Sequence, residues 1–212
     1  MTASASRTDA DHPTFSVVIP VYNRPDLLRR ALDSAFTQSL APREIIVVDD
    51  GSSHDIGKVI TTDFPEALLM RQDRGGVGAA RNTGVAAASG QWLAFLDSDD
   101  VWQPNHLSEL AQLVLEFPEA RLVATAYREW VDGKARPKLR RLGSRRRIDY
   151  FLEASKNIGV VWSSATGVRR DAAGEVGGFG PWPTGEDLEY WTRLALRFPV
   201  ALSTAETVLY AR

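Results

Sequence analysis

The sequence predicts a single α/β domain in which a mostly parallel central sheet is flanked by helices. Two observations indicate this fold class. Apolar runs of strand length alternate with segments whose apolar residues recur at helical spacing, which is typical of parallel sheets covered on both faces. Polar clusters also follow several of the apolar runs, as expected where ligands bind at the carboxyl ends of parallel strands. A chain of 212 residues with 44% hydrophobic content suits one domain with a full core.

The first half of the chain has the clearest elements. Residues 15–21 (FSVVIPV) form an uninterrupted apolar run, which is the pattern of a strand buried on both faces. Pro25 suits the first turn of a helix, and the leucines and alanines that follow it recur on one face. The other elements predicted in this half are strands at 44–48, 68–71 and 92–96 and helices at 56–62 and 77–89.

Beyond residue 104 the regularity weakens. The predicted elements are helices at 105–117 and 186–198, strands at 121–127, 160–168 and 200–210, and a loop at 133–147. Residues 1–14 lack the basic start and apolar stretch of a signal peptide, so we expect a disordered tail followed by one domain at 15–212. Every apolar run is far shorter than the roughly 20 residues that span a bilayer, which favours a cytoplasmic location.

Composition excludes several classes of function. The formal net charge of -2 provides no overall field that would attract nucleic acid, so no nucleic-acid partner is expected. The absence of cysteine rules out disulfides, thiolate metal sites and a cysteine nucleophile, and it suits a reducing compartment. His12, His54 and His106 are scattered without metal-ligand spacing and are predicted to lie at the surface.

The acidic cluster Asp97-Ser98-Asp99-Asp100 directly follows a predicted buried strand. Carboxylates placed so close together repel one another unless a cation lies among them. Mg²⁺ and Mn²⁺ are hard cations that use one or two protein carboxylates and complete their shell with phosphate oxygens and water. The cluster therefore indicates a diphosphate site with a metal ion, although Ser98 and Asp99 are also ordinary residues for capping a turn or a helix.

Two further clusters follow predicted strands. In Asp49-Asp50-Gly51-Ser52, a carboxylate is able to accept a hydrogen bond from the imide N–H of a pyrimidine, but Asp-Gly is also common in turns. Tyr22 either packs against a base or belongs to the core. In the segment 75–82, glycines allow close backbone approach and Arg81 brings positive charge, whereas the pattern of a Walker loop or of a dinucleotide fingerprint is missing.

Glu186 and Asp187 follow a glycine and proline turn at the predicted start of a helix. Carboxylates are favoured at the positive end of a helix in any protein, so a purely structural role is one interpretation. The other interpretation is that one of them acts as a general base that deprotonates an acceptor hydroxyl.

Taken in order, six segments form a series: VVIPVYN at 17–23, IVVDDGS at 46–52, GAARN at 78–82, FLDSDD at 95–100, GGF at 177–179 and GED at 185–187. The series resembles glycosyltransferase family 2, whose members are inverting enzymes of GT-A fold, and the resemblance covers residues 15–197. It implies a nucleotide-sugar half at 15–104 and an acceptor half at 105–212. It also implies transfer of a sugar from a nucleoside diphosphate donor, expected to be a UDP-sugar, in cell-surface glycan, glycolipid or polysaccharide biosynthesis.

The resemblance further assigns roles to individual residues. The nucleoside pocket is expected to use Pro20, Tyr22, Asp50 and Arg81, with Asp49 and Ser98 as further donor contacts. Asp97 is expected near the ribose and the sugar and as a metal ligand, Asp99 as the principal ligand of Mn²⁺ or Mg²⁺, and Asp100 behind them. Asp187 is expected to be the base, with Glu186 as the neighbouring catalytic candidate.

One departure from relatives narrows the prediction. The Gln-x-x-Arg-Trp signature of processive synthases is absent, which favours transfer of a single sugar to a glycan, lipid-linked or small-molecule acceptor.

Residues 134–147 contain eight basic residues and no acid. This segment is either a solvated loop or a contact to a phosphate-bearing acceptor at the inner membrane face. A second copy of the chain, forming a homodimer, is a further candidate partner.

Two other functions compete with transfer. The first is a non-catalytic module of the same fold that binds a nucleotide sugar or a glycan. The second is a sugar-nucleotide pyrophosphorylase, which would carry a glycine-rich basic loop after the first strand, where this chain has Pro20 to Pro25.

Overall fold

The computed structural model describes residues 13–131, 134–135 and 144–211, which form one continuous ten-stranded sheet with helices on both faces. The chain begins with four strands, β1 (Phe15–Val21), β2 (Glu44–Asp50), β3 (Leu68–Gln72) and β4 (Trp92–Phe95). They are connected by three helices, α1 (Pro25–Phe36), α2 (Ile56–Asp63) and α3 (Val77–Ala87). These strands pair in parallel in the order β3-β2-β1-β4, so their carboxyl ends meet at one edge.

The second half adds six strands and four helices among the described residues. In chain order they are β5 (Val101–Trp102), α4 (His106–Glu116), β6 (Leu122–Val131), β7 (Lys134–Ala135), β8 (Arg145–Ile148), α5 (Tyr150–Lys156), β9 (Thr166–Arg169), α6 (Arg170–Val176), α7 (Glu186–Arg197) and β10 (Val200–Ala211). The sheet continues as β4-β9-β6-β10-β5, with β7 beside β6 and β8 beside β10. Strand β9 is antiparallel to both of its neighbours, whereas β10 runs parallel to β6.

Two hydrophobic clusters lie on opposite faces of the sheet because successive strand residues point to opposite sides. In β1, Val17 and Ile19 face the cluster that α1, α2 and α4 cover, whereas Val18 faces the cluster covered by α3, α6 and α7. All seven residues of β1 are buried, as predicted from its unbroken apolar run. The predicted α/β class with helices on both faces is confirmed.

Some details differ from the predictions. The sheet is parallel in its first half and mixed in its second, because β9 enters antiparallel between β4 and β6. The predicted tail is too long at its end: Thr14 already belongs to the fold, since its carbonyl accepts a hydrogen bond from the backbone N–H of Trp92 at 2.9 Å. Residues 1–12 lie outside the described part of the chain.

The predicted strand at 160–168 is wrong over most of its length. This region forms two short 3-10 turns, Ile158–Val160 and Ser163–Ala165, and only then strand β9. The serine side chains of the second turn bind carboxylates elsewhere in the fold, and such tertiary hydrogen bonds outweigh the strand propensity of the apolar residues. Helices α5 and α6 and strands β5, β7 and β8 were not predicted.

His106 lies in the core, although it was predicted to be at the surface. Its Nδ1 is 2.7 Å from the hydroxyl of Thr207, which itself donates to Thr125. Within the described residues, Nε2 has no hydrogen-bond partner. Burial lowers the pKa of His106 to about 3, which keeps the imidazole neutral.

The helices of the described segments are all too short or too polar to span a membrane.

Candidate active site

A cavity of about 450 Å³ lies at the carboxyl ends of β1, β2 and β4, and its walls come from both halves of the chain. It brings together most of the side chains that the sequence singled out. On the predicted donor side these are Pro20, Tyr22, Asp50, Arg81, Asp97 and Ser98. The same cavity is lined by Asp99, Glu186 and Asp187. The sheet topology therefore places the acidic cluster after β4 opposite the start of α7.

Asp49 is the exception, and its predicted donor contact is wrong. Its side chain is 1% exposed and lies outside the cavity, because adjacent residues of β2 point to opposite faces of the sheet. Its Oδ1 accepts a hydrogen bond from the backbone N–H of Ser52 at 2.9 Å, and Oδ2 lies 3.5 Å from a guanidinium nitrogen of Arg71. Asp49 thus shapes the turn that follows β2.

Asp50 lies on the cavity wall and organises the glycine turn before α3. Its Oδ1 accepts hydrogen bonds from the side chain of Gln72 and the backbone N–H of Gly75, both at 2.8 Å. Its Oδ2 accepts one from the backbone N–H of Gly76 at 2.8 Å, and Gly76 has a φ of 88° that only glycine adopts easily. A carboxylate oxygen accepts about two hydrogen bonds, so Oδ2 retains capacity for a ligand.

Arg74 is a cavity residue that the sequence analysis missed. Its guanidinium lies 3.5 Å from the ring centroid of Tyr22, so the two side chains form a stacked, planar wall. The turn after β2 packs directly against it: a Cβ on Gly51 would lie 2.9 Å from the backbone nitrogen of Arg74. This close approach between distant segments leaves no local pattern, so only the structure reveals it.

Arg81 is buried between two carboxylates. One terminal nitrogen donates to Oε1 of Glu186 and the other to Oδ1 of Asp97, each at 2.7 Å. Burial alone would lower the pKa of Arg81, but the two carboxylates more than offset it and raise the pKa above its usual value. The guanidinium ties α3 to the end of β4 and to the start of α7.

This triad changes two predicted roles. Arg81 was expected to bring free positive charge to the nucleotide, but both of its terminal nitrogens face protein carboxylates. Glu186 was expected to be a catalytic candidate, but it is 7% exposed and ion-paired, so it is poorly placed to take a proton from an acceptor. Arg81 instead holds Asp97 and Glu186 in place, and Glu186 anchors the start of α7 next to Asp187.

The rest of the acidic cluster is arranged by side chains from both halves. Asp99 forms an ion pair with Arg24, and both side chains are partly exposed to the cavity. Asp100 is 1% exposed, and its Oδ2 accepts hydrogen bonds from the hydroxyl of Ser164 at 2.6 Å and from the indole of Trp162 at 3.4 Å. Asp100 therefore lies behind the cavity wall, as predicted.

Asp187 is the carboxylate of the acceptor half that is best placed for chemistry. Its Oδ2 accepts a hydrogen bond from the hydroxyl of Ser163 at 2.9 Å, and its Oδ1 accepts one from the backbone N–H of Leu188 at 2.8 Å. Gly185, with a φ of 77°, precedes it and lets the chain turn into α7. These contacts hold the carboxylate at the cavity without an ion pair among the described residues.

The structure describes only part of the basic segment 134–147, namely residues 134–135 and 144–147. Arg145 donates two hydrogen bonds of 2.8 Å to Glu109. Burial raises the pKa of the Glu109 carboxyl, but the hydrogen bonds from Arg145 and Ser203 lower it by more, so the pKa lies below its usual value. Arg146 and Arg147 pair with Glu153 at 3.2 Å and with Glu119 at 3.5 Å. These three arginines pair with carboxylates of the same chain, while residues 136–143, which hold the rest of the predicted loop or acceptor contact, lie outside the described part.

Comparisons with known proteins identify the family and the fold. The glycosyl transferase family 2 model matches residues 16–177. The succinoglycan biosynthesis protein ExoW of Rhizobium meliloti (strain 1021) is 41% identical over 109 residues, which cover 48% of this chain and 34% of that protein. The succinoglycan biosynthesis protein ExoO of the same organism is 37% identical over 102 residues, covering 47% and 29% respectively. The chain thus matches about a third of the length of these relatives.

Among solved structures, S. aureus TarS 1–349 in complex with UDP-GlcNAc superimposes with a TM-score of 0.77 at 21% identity, covering 94% of this chain and 58% of that one. A second crystal structure of S. aureus TarS gives a TM-score of 0.79 at 19% identity and covers 94% of this chain and 37% of that one. The fold is therefore that of GT-A glycosyltransferases. Because the family model matches more than half of the chain, this protein belongs to glycosyltransferase family 2.

Proposed function

We propose that the chain is an inverting glycosyltransferase that moves a single sugar from a UDP-sugar to an acceptor hydroxyl during the synthesis of a polysaccharide or another cell-surface glycan. The observation that carries this proposal is the single cavity that joins a planar wall, an acidic cluster and the carboxylate of Asp187. The two relatives named for succinoglycan biosynthesis and the TarS complex with UDP-GlcNAc support it.

The donor end of the cavity suits a pyrimidine base. Tyr22 is 37% exposed and, with Arg74 stacked on it, offers a flat surface to an aromatic ring. Asp50 lies on the same wall and retains an acceptor site on Oδ2, which suits the imide N–H of uracil. Cytosine lacks that N–H, so the arrangement favours UDP over CDP.

The metal that the family implies would be held by Asp97 and Asp99. The described residues contain no group of three His, Cys, Asp or Glu side chains that could hold a metal ion, so the protein would supply two ligands at most. Each carboxylate uses one oxygen for its ion pair, with Arg81 or with Arg24, which leaves the second oxygen for a cation. Hard oxygen donors suit Mg²⁺ or Mn²⁺, which would offset the negative charge of a diphosphate.

Asp187 would act on the acceptor. The carboxylate accepts the proton of the acceptor hydroxyl as the oxygen forms a bond to the anomeric carbon. The bond from that carbon to the diphosphate oxygen breaks on the opposite side, and its electron pair leaves with UDP. One such displacement inverts the anomeric centre and requires no covalent intermediate with the protein.

Calorimetry with UDP, GDP and CDP, each with Mn²⁺ or with EDTA, tests the donor assignment. We expect UDP to bind most tightly and EDTA to weaken it, because a cation held by Asp97 and Asp99 would offset the negative charge of the diphosphate. Asp99→Asn should abolish the effect of Mn²⁺, whereas Asp73→Asn, an exposed acid outside the cavity, should preserve it. Failure of every nucleotide to bind would contradict the donor site, and equal UDP binding in EDTA would contradict the metal.

A second measurement tests the stereochemistry. The anomeric configuration of the sugar released or transferred from UDP-GlcNAc is followed by NMR during the first turnovers, before the product equilibrates in water. Inversion is expected, and a product that retains the donor configuration would rule out the single displacement.

A further inference from the structure

Two aromatic side chains, Trp162 and Tyr210, line the cavity together with Asp187. Their ring centroids are 4.4 Å apart, and the rings are tilted by 55°. Tyr127 packs behind both, with its ring centroid 5.5 Å from that of Trp162 and 6.0 Å from that of Tyr210. We call Trp162 and Tyr210 the aromatic platform.

The platform is held firmly in place. The indole N–H of Trp162 donates to Asp100 at 3.4 Å, and its backbone carbonyl accepts a hydrogen bond from the hydroxyl of Thr166 at 2.5 Å. Tyr127 is only 6% exposed, and a Cβ on Gly159 would lie 2.8 Å from its hydroxyl oxygen. The turn that carries Gly159 therefore packs closely against this ring, so the platform is preorganised for a ligand.

The platform also lies next to the proposed base. Ser163, the residue after Trp162, donates its hydroxyl hydrogen to Oδ2 of Asp187 at 2.9 Å. Trp162 immediately precedes the short turn Ser163–Ala165, so one segment of the chain carries both the indole ring and the hydroxyl that holds the carboxylate. A ligand on the aromatic rings would have its polar edge within reach of the base.

We propose that the aromatic platform is the acceptor subsite and that it binds a pyranose ring, so that the acceptor is itself a glycoside. This proposal rests on the proposed function, in which Asp187 is the base. A pyranose presents a face of C–H groups that packs on aromatic rings, and it carries hydroxyl groups around its edge. An acyclic polyol or the side chain of a serine or threonine offers no comparable flat apolar face.

Sugar binding to the platform is measurable without knowing the natural acceptor. The probes are methyl pyranosides of glucose, galactose, mannose, rhamnose and N-acetylglucosamine, with the acyclic polyol ribitol as the negative control. They are titrated into protein with ¹⁵N-labelled tryptophan in the presence of UDP and Mn²⁺. The chain has six tryptophans, so each indole signal is assigned from a single substitution.

At least one pyranoside should shift the indole signal of Trp162, while ribitol should not. Trp162→Ala and Tyr210→Ala, followed through the remaining signals, should each weaken sugar binding about tenfold, as expected for the loss of one aromatic contact. Trp162→Phe should retain most of the affinity because it retains a ring. Trp182 is 56% exposed and outside the cavity, so Trp182→Ala is the matched control and should bind sugar normally.

The absence of a Trp162 shift with every pyranoside would overturn the proposal, as would unchanged affinity in both alanine variants. Calorimetry with UDP on the same variants separates a local effect from misfolding, since donor affinity should stay within about twofold of the wild type. If UDP fails to bind to the wild type, the proposed donor site fails, while the pyranoside titration without UDP still decides whether the platform binds sugar.

Discussion

Arg81 compensates two carboxylates at once, and this makes it a positioning residue for the cavity. Its ion pairs hold Asp97, on the donor side, and Glu186, beside the proposed base, at 2.7 Å from one guanidinium. Without the guanidinium, two nearby carboxylates would lose their common counter-charge in a largely buried environment. The geometry of both sides of the proposed reaction therefore depends on this side chain.

Arg81→Met should lower the free energy of unfolding by about 3 kcal/mol, because removing one partner of a buried ion pair leaves the others uncompensated. Chemical denaturation measures the change. Adding Glu186→Gln should recover part of the loss, and Arg169→Met, which breaks a surface pair with Asp171, should cost about 1 kcal/mol or less. Equal losses in the free energy of unfolding for Arg81→Met and Arg169→Met would show that the buried triad stabilises the protein no more than a surface ion pair does.

Asp187→Asn should lower kcat about 10²- to 10⁴-fold, because an amide cannot accept the acceptor proton. UDP release measures turnover, and calorimetry measures donor affinity, which should remain within about twofold. Glu189→Gln changes a neighbouring carboxylate of α7 that pairs with Arg193 and should retain activity. Loss of UDP binding in Asp187→Asn would instead identify a structural role.

At the scale of elements, the packing of α3 on β1 depends on a glycine. A Cβ at Gly84 would lie 2.4 Å from Cγ1 of Val18, so the helix approaches the strand too closely for any side chain. This close packing sets the position of the helix that carries Arg81.

Gly84→Ala should therefore destabilise the protein by about 1–3 kcal/mol, the typical cost of overpacking a core. Val18→Ala in the same chain should relieve part of this cost, as measured by thermal and chemical denaturation. Gly174→Ala in α6 is the control: nothing lies within 4 Å of its Cβ, so the better helix propensity of alanine should slightly increase stability. Destabilisation by both substitutions would argue against a specific clash at Gly84.

Local patterns predicted the elements of the nucleotide half well because β1, β2 and β4 are buried on both faces and α1 is amphipathic. The segment at 160–168 was mispredicted because Ser163 and Ser164 are fixed by distant carboxylates, which no local pattern records. The same reasoning applies to the site. Asp97, Asp99 and Asp187 were found from motifs, whereas Arg74, Trp162 and Tyr210 reach the cavity only through tertiary packing.

At the scale of the whole molecule, His106 links stability to pH. In the unfolded chain the imidazole has its ordinary pKa of 6.5, whereas burial lowers the folded-state pKa to about 3. Between these values the unfolded state binds more protons, so stability is complete above pH 6.5 and falls as the pH decreases towards 3.

The wild type should lose up to about 1.4 kcal/mol of stability per pH unit in the upper part of that window, from about pH 6 to 5. Urea denaturation at several pH values measures the slope. His106→Gln should be less stable at pH 7.5 but should show a shallower slope, and His54→Gln, at an exposed histidine, is the matched control. An unchanged slope in His106→Gln would assign the acid sensitivity to other groups.

The family match ends at residue 177, but the residues that line the cavity continue to Tyr210. Helix α7 supplies Glu186 and Asp187, and β10 supplies Tyr210, so residues 16–177 lack much of the acceptor side of the cavity. Strand β10 also lies inside the sheet, between β6 and β5, rather than at its edge. A fragment cut at the limit of detectable similarity would therefore expose the edge of β6 and tend to self-associate.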